Sequence, residues 1–168
     1  GALRNDGYHA LETVYQELDI ADQMTIRLRQ DDECLLSGFP LDIDPATNLV
    51  TKAWQVCRNA FPGQIPGVDI QIEKILPRGG GLGGGSSNAA TVIRAINDLC
   101  DLGEISDRPH RQKLYDLAAT IGSDVPFFIT GATALGTGRG EIITRVPAPP
   151  RHWLVLVFPP ASMRTGEA

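Results

Sequence analysis

The sequence predicts an α+β domain in which a mostly antiparallel sheet packs against helices. Three observations carry that expectation. Segments of period-two alternation, such as Val68, Ile70 and Ile72 between Asp69, Gln71 and Glu73, are mixed with segments of helical spacing, such as Ala89, Ala90, Val92, Ile93, Ile96, Leu99 and Cys100. Strands and helices do not alternate regularly, which disfavours a doubly wound parallel sheet. With 168 residues, 42% of them hydrophobic and 21% charged, the chain fits one soluble domain with a real core.

The elements follow in order. Arg4-Asn5-Asp6-Gly7 reads as a turn, since Asn, Asp and Gly tolerate positive φ. Leu11 to Leu18 is compatible with a strand. After the turn Asp19-Ile20-Ala21-Asp22, the residues Met24, Ile26 and Leu28 alternate with Thr25, Arg27 and Arg29, and these two segments are expected to pair with each other. Thr47 or Asn48 can cap a helix in which Leu49, Val50, Ala53, Trp54, Cys57, Ala60 and Phe61 share one face, ended by Pro62-Gly63. A second helix is opened by Ser86 and Ser87. A third begins near Ser106 or Asp107, takes Pro109 in its first turn and stops at Gly122. Ser123-Asp124-Val125-Pro126 is a connector, followed by Phe127 to Ile129 and a glycine-rich stretch to Gly140. A strand over Ile142 to Val146, a break at Pro147 to Pro150 and an apolar strand over Trp153 to Phe158 complete the reading.

The segment richest in chemical meaning is Pro77-Arg78-Gly79-Gly80-Gly81-Leu82-Gly83-Gly84-Gly85-Ser86-Ser87, with six glycines in seven residues. Glycine reaches positive φ and lets a ligand approach the backbone, so successive N–H groups can converge on phosphoryl oxygens. The helix that follows adds free N–H groups and a dipole that favours negative charge. The bland alternative is a linker or structural turn. A strand on one side and a helix on the other argue for the phosphate cradle. The run ends Gly-Ser-Ser and lacks the Gly-Lys-Ser/Thr of a Walker A loop, which removes that class. Gly79, Gly81 and Gly84 also fit the dinucleotide fingerprint. A Rossmann unit, however, would continue into a second strand ending in an acidic residue, and here another helical pattern follows.

A net charge of -5 argues against a nucleic-acid surface, and no apolar run reaches membrane-spanning length. No charged-then-apolar leader stands at the N-terminus, so a cytoplasmic setting is expected. Cys34, Cys57 and Cys100 are odd in number and widely spaced, which fits reduced thiols. His9, His110 and His152 are scattered as well, and no metal site is expected from the protein's own side chains.

Three motifs appear in sequence order: Asp6-Gly7-Tyr8-His9, the loop Pro77 to Ser87 continuing Asn88-Ala89-Ala90-Thr91, and Gly122-Ser123-Asp124-Val125-Pro126. Together they resemble the GHMP small-molecule kinase superfamily. The Asp-Gly-Tyr-His turn narrows the resemblance to the family that phosphorylates 4-diphosphocytidyl-2-C-methyl-D-erythritol. The resemblance implies the GHMP kinase N-terminal fold, similar to domain 2 of ribosomal protein S5. It implies transfer of the γ-phosphate of ATP, carried with Mg²⁺, to the 2-hydroxyl of the cytidine-diphosphate-linked methylerythritol in the non-mevalonate route to isoprenoids.

By the same resemblance, Pro77, Arg78, Gly79, Gly80, Gly81, Leu82, Gly83, Gly84, Gly85, Ser86 and Ser87 hold the ATP phosphates, with Asn48 and Lys74 on the adenine side. Ser86 or Ser87 could touch the magnesium. Tyr8 would stack on the cytosine and His9 would hydrogen-bond its edge. From the residues alone Asp124 is as much a turn or capping aspartate as a catalytic one; the resemblance makes it the general base for the acceptor hydroxyl.

Residues 1–160 are then expected to form the ATP-binding domain and residues 161–168 the start of a junction to a second domain. The family's first strand carries a lysine that pairs with the catalytic aspartate and lies upstream of Gly1. Little or no turnover is expected from this chain alone, and a sheet edge left exposed would let two copies pair. The competing readings are a sibling mevalonate, homoserine or galactose kinase, a dinucleotide-binding domain, or a non-catalytic interaction domain on the same fold.

Overall fold

In the computed structural model, which describes residues 11–39, 44–77 and 79–158, the alternating apolar positions of Val68–Glu73 form the middle strand of a sheet. Val68, Ile70 and Ile72 all turn inward and are buried, as period-two patterning requires. In chain order the elements are β1 (Leu11–Gln16), β2 (Gln23–Leu28), β3 (Cys34–Ser37), α1 (Leu49–Ala60), β4 (Val68–Glu73), α2 (Gly84–Leu99), α3 (Arg108–Ile121), α4 (Val125–Thr130), β5 (Thr133–Gly138) and β6 (Ile142–Arg145). A 3-10 turn over Pro45–Thr47 leads into α1.

Two three-stranded sheets result, in the orders β1-β5-β6 and β2-β4-β3. All neighbours are antiparallel except β3 and β4, which run parallel. The expected β1–β2 pair does not form. β1 pairs with β5, from Leu11 opposite Gly138 to Gln16 opposite Thr133, and β2 pairs with β4. The six-residue link between them is held at both ends by other elements. Glu17 N–H donates to the Ala132 carbonyl at 2.8 Å, whereas Asp22 is bonded to the residues that follow β4. Two strands anchored to different partners cannot close as a hairpin.

Other expectations also need correction. α2 starts at Gly84, two residues before Ser86, because Gly83 adopts the left-handed conformation (φ 65°) that turns the chain into the helix. Residues Val125–Thr130, read as connector and apolar run, form the short helix α4. The glycine-rich stretch contains β5. Trp153–Phe158 enters no ladder among the described residues, although its composition suits a strand. Its side chains stand largely in solvent, with Trp153 fully exposed, and no neighbouring strand supplies hydrogen-bond partners.

The remaining boundaries follow from their caps. Asn48 rather than Thr47 caps α1, its Oδ1 accepting from Val50 N–H at 3.0 Å. Asp107 caps α3 through His110 N–H at 3.2 Å, with Pro109 in the first turn. α2 is the central helix and packs against α1, α3 and α4. Its Ala89, Val92, Ile93 and Ile96 meet Val50, Ala53, Trp54 and Cys57 of α1 in one core. All three cysteines are free, and burial pushes the Cys57 thiol up to about 12, a value that keeps it unreactive. Among the described residues no helix is long and apolar enough to cross a membrane.

Ile93 has no exposed surface, so Ile93→Ala is expected to cost about 2–5 kcal/mol through lost burial and the cavity left behind. Urea unfolding followed by circular dichroism measures this as a lower midpoint at unchanged slope.

Candidate active site

The glycine run crosses from β4 to α2 with positive φ at every second residue: 67° at Gly79, 71° at Gly81 and 65° at Gly83. Residues other than glycine rarely adopt that region, and alternation of this kind turns successive N–H groups toward one concave side. Ser87 N–H bonds back to the Gly83 carbonyl at 2.8 Å and is the first closed turn of α2. The N–H groups of Gly84, Gly85 and Ser86 therefore lack intrahelical acceptors. A cavity of about 220 Å³ opens on this side. Gly81, Leu82, Gly83 and Ser87 line one wall and Asp124 with Tyr15 the other. A space of that size suits a phosphoryl group with its attacking oxygen rather than a whole nucleotide.

Asp124 precedes α4. It stands in a turn at the N-cap position of that helix, but its side chain makes no capping bond and the carboxylate is exposed to the cavity. Tyr15 of β1 donates its hydroxyl to Asp124 Oδ1 at 3.3 Å, a long bond that reaches across 109 residues of sequence. The Tyr15 ring stacks on Phe127 with centroids 5.0 Å apart and lies over Gly136 and Gly140 of the β5–β6 hairpin. A Cβ on either glycine would collide with the ring or the hydroxyl. Burial, then the negative charge of Asp124, pushes the phenol up to about 12, so Tyr15 stays a neutral donor throughout the physiological range.

Asp22, read from the sequence only as a turn residue, is the site's least expected member. Its side chain is fully buried. Oδ1 accepts from Ile75 and Leu76 N–H, both at 2.8 Å, and Oδ2 accepts from Asn88 Nδ2 at 2.9 Å and from the Lys74 ammonium. Burial by itself would raise this carboxyl's pKa. The Lys74 ion pair and the amide donors outweigh it and hold Asp22 below the usual carboxylate range. Nothing in the sequence around Asp22 signals this, because all four donors come from 52 or more residues away.

The other expected site residues divide. Lys74 stands at the loop, with its ammonium 3.9 Å from where a Cβ on Gly84 would lie, although it is engaged by Asp22. Asn48 is buried and serves as the α1 cap; Cδ1 of its neighbour Leu49 lies 3.5 Å from where a Cβ on Gly85 would stand, so the start of α1 adjoins the loop. Tyr8, His9 and Arg78 lie outside the described residues, as does the expected junction over 161–168. A larger opening of about 1010 Å³ between residues 16–21 and the segment 148–156 contains neither a loop residue nor Asp124.

A profile of the GHMP kinases N terminal domain matches residues 48–132, about half of the chain and the part that contains the loop, α2 and Asp124. The chain belongs to the GHMP kinase family. Its relatives include the 4-diphosphocytidyl-2-C-methyl-D-erythritol kinase of Heliobacterium modesticaldum, 43% identical over 166 residues that cover 98% of this chain and 51% of that protein. The protein of the same name from Pseudomonas syringae pv. syringae is 41% identical over 164 residues, covering 98% and 56%. A crystal structure of 4-(cytidine 5'-diphospho)-2C-methyl-D-erythritol kinase superposes with a TM-score of 0.69 at 35% identity, covering 88% of this chain and 50% of that one. The chain thus spans about half the length of the curated relatives it matches. The dinucleotide-fold alternative has no support, since α2 leads into α3 and α4 rather than into a strand beside β4.

Two pH effects follow. The raised phenol of Tyr15 contributes stability below pH 10 that is lost as pH rises from about 10 to about 12. In denaturant titrations at these pH values the wild type should lose more stability than Tyr15→Phe. The lowered carboxyl of Asp22 contributes stability present above 3.8 and lost as pH falls through its folded value, so Asp22→Asn should flatten the acid limb of the same profile.

Proposed function

We propose that this chain forms the nucleotide-phosphate half of a kinase that transfers the γ-phosphoryl group of ATP to the 2-hydroxyl of 4-diphosphocytidyl-2-C-methyl-D-erythritol. The reaction would be a step in isoprenoid precursor synthesis, with soluble substrates that suit a cytoplasmic enzyme. The observation that carries the reading is the shared cavity of about 220 Å³, lined by Gly81, Leu82, Gly83 and Ser87 together with Asp124. The names of the relatives supply the acceptor.

In this reading the acceptor hydroxyl attacks the γ-phosphorus, the bond to the ADP oxygen breaks, and the hydroxyl proton passes to Asp124. Such a transfer needs little covalent help from the protein; positioning and charge stabilisation carry it. The loop N–H groups take the developing negative charge on phosphoryl oxygens, and Tyr15 orients the Asp124 carboxylate through its single hydrogen bond. Ser87 is the loop hydroxyl that lines the cavity, which favours it over Ser86 as an oxygen donor to Mg²⁺. The ion would neutralise phosphate charge. Tyr8 and His9 retain their assigned role against the cytosine.

Calorimetric titration of this chain with ATP and Mg²⁺ tests the reading. Saturable binding is expected, with NAD silent. Gly81 has positive φ and no atom within 4 Å of an added Cβ. Aspartate tolerates that conformation better than most residues, so Gly81→Asp should leave the fold intact while its charge opposes phosphate, weakening ATP by more than about tenfold. Asp124→Asn should leave ATP affinity within about twofold and lower any phosphoryl transfer by on the order of 100-fold or more. Unchanged ATP affinity in Gly81→Asp would remove the loop from the site.

A further inference from the structure

We propose that Asp22 is the positioning residue of the phosphate loop, holding both of its hinges and the Lys74 ammonium in the arrangement that receives nucleotide phosphate. The inference rests on the reading of the loop as a phosphate site. A carboxylate shut away from water is costly unless it is paired and hydrogen-bonded, and Asp22 is satisfied by four donors. Their origin is informative. Three belong to the residues that leave β4 immediately before the loop: the Lys74 side chain and the Ile75 and Leu76 amides. The fourth, Asn88, belongs to α2 just after it. One carboxylate therefore fixes the distance between the point where the chain enters the loop and the point where it leaves. The conformation of the glycines between depends on that distance, because they have no side chains with which to anchor themselves.

The ion pair is also lopsided. Asp22 is wholly enclosed while the Lys74 side chain keeps about a quarter of its surface, with its ammonium 3.9 Å from where a Cβ on Gly84 would stand. An ammonium has three donor protons, so Lys74 can remain bonded to Asp22 and still offer a proton outward to an anion at the loop. Asp22 thus holds a cation beside Gly84 at the start of α2, a different place from the adenine side expected of Lys74 from the sequence.

This produces a prediction opposite in sign to simple electrostatics. Removing a negative charge close to a phosphate site should tighten anion binding if charge alone mattered. If Asp22 positions the loop, Asp22→Asn should weaken ATP by about tenfold or more, the scale of a lost hydrogen bond to a charged group. Lys74→Met should weaken it as well, and the double variant should be less than additive, because both changes break one unit. Hydrogen exchange without nucleotide supplies the second measurement. Asp22→Asn should speed exchange at Ile75, Leu76 and residues 79–87 while Leu114–Ile121 of α3 stays protected. ATP binding that is unchanged or tighter in a folded Asp22→Asn variant would overturn the proposal, as would exchange that accelerates equally in α3, which would make Asp22 general core adhesive. Absence of ATP binding by the wild type would instead sink the nucleotide reading, and the loop-specific exchange result alone would then decide whether Asp22 holds the loop.

Discussion

The arrangement of this domain depends on one enclosed carboxylate. Asp22 ends the link between β1 and β2, and by bonding the residues after β4 it commits β2 to the β4 sheet. β1 is left to pair with β5. The same four bonds join the exit of β4 to the body of α2, the helix around which α1, α3 and α4 pack. Sheet partition, loop geometry and the seat of the central helix thus meet at one satisfied charge in a place without water. Replacing such a group by an apolar residue need not ruin stability, but it would remove the reason for this particular geometry.

The opposite wall of the cavity is built on a different principle. Tyr15 fits because Gly136 and Gly140 have no side chains, so the β5–β6 hairpin can approach the ring face closely. Phe127, the third residue of the helix that follows Asp124, completes the sandwich. The donor is therefore held by packing, and it reaches a carboxylate that stands exposed in the turn before α4. One wall is fixed by electrostatics and the other by shape.

Much of this was legible in the sequence, and the limits have identifiable physical causes. The helices α1, α2 and α3 were readable because apolar spacing and caps agree, as at Asp107 with Pro109. β4 and β6 were readable from alternation or β-branched content. β3 has only four residues, too few to establish a period, and it was missed. β5 was hidden because its glycines, which normally weaken a strand, are there to admit Tyr15. α4 was hidden because Pro126 and two phenylalanines suggest a connector or strand, while its burial in the core imposes the helix. Of the candidate site, the loop could be read because its chemistry is contiguous in sequence, whereas Asp124 was singled out only through the family resemblance. Asp22 and Tyr15 could not, since each acquires its meaning from residues more than 50 positions away.

The pairing of β1 with β5 has a consequence for how the chain comes into being. Gln16 and Thr133 face each other across the ladder although 117 residues separate them. On a ribosome adding about 5–20 residues per second, the N-terminal strand emerges roughly 6 to 25 seconds before its partner exists. Throughout that interval Leu11, Val14 and Tyr15 have no sheet to join. Chaperone occupancy and translation speed should therefore bear on folding yield, because β1 must wait for a partner made more than a hundred residues later.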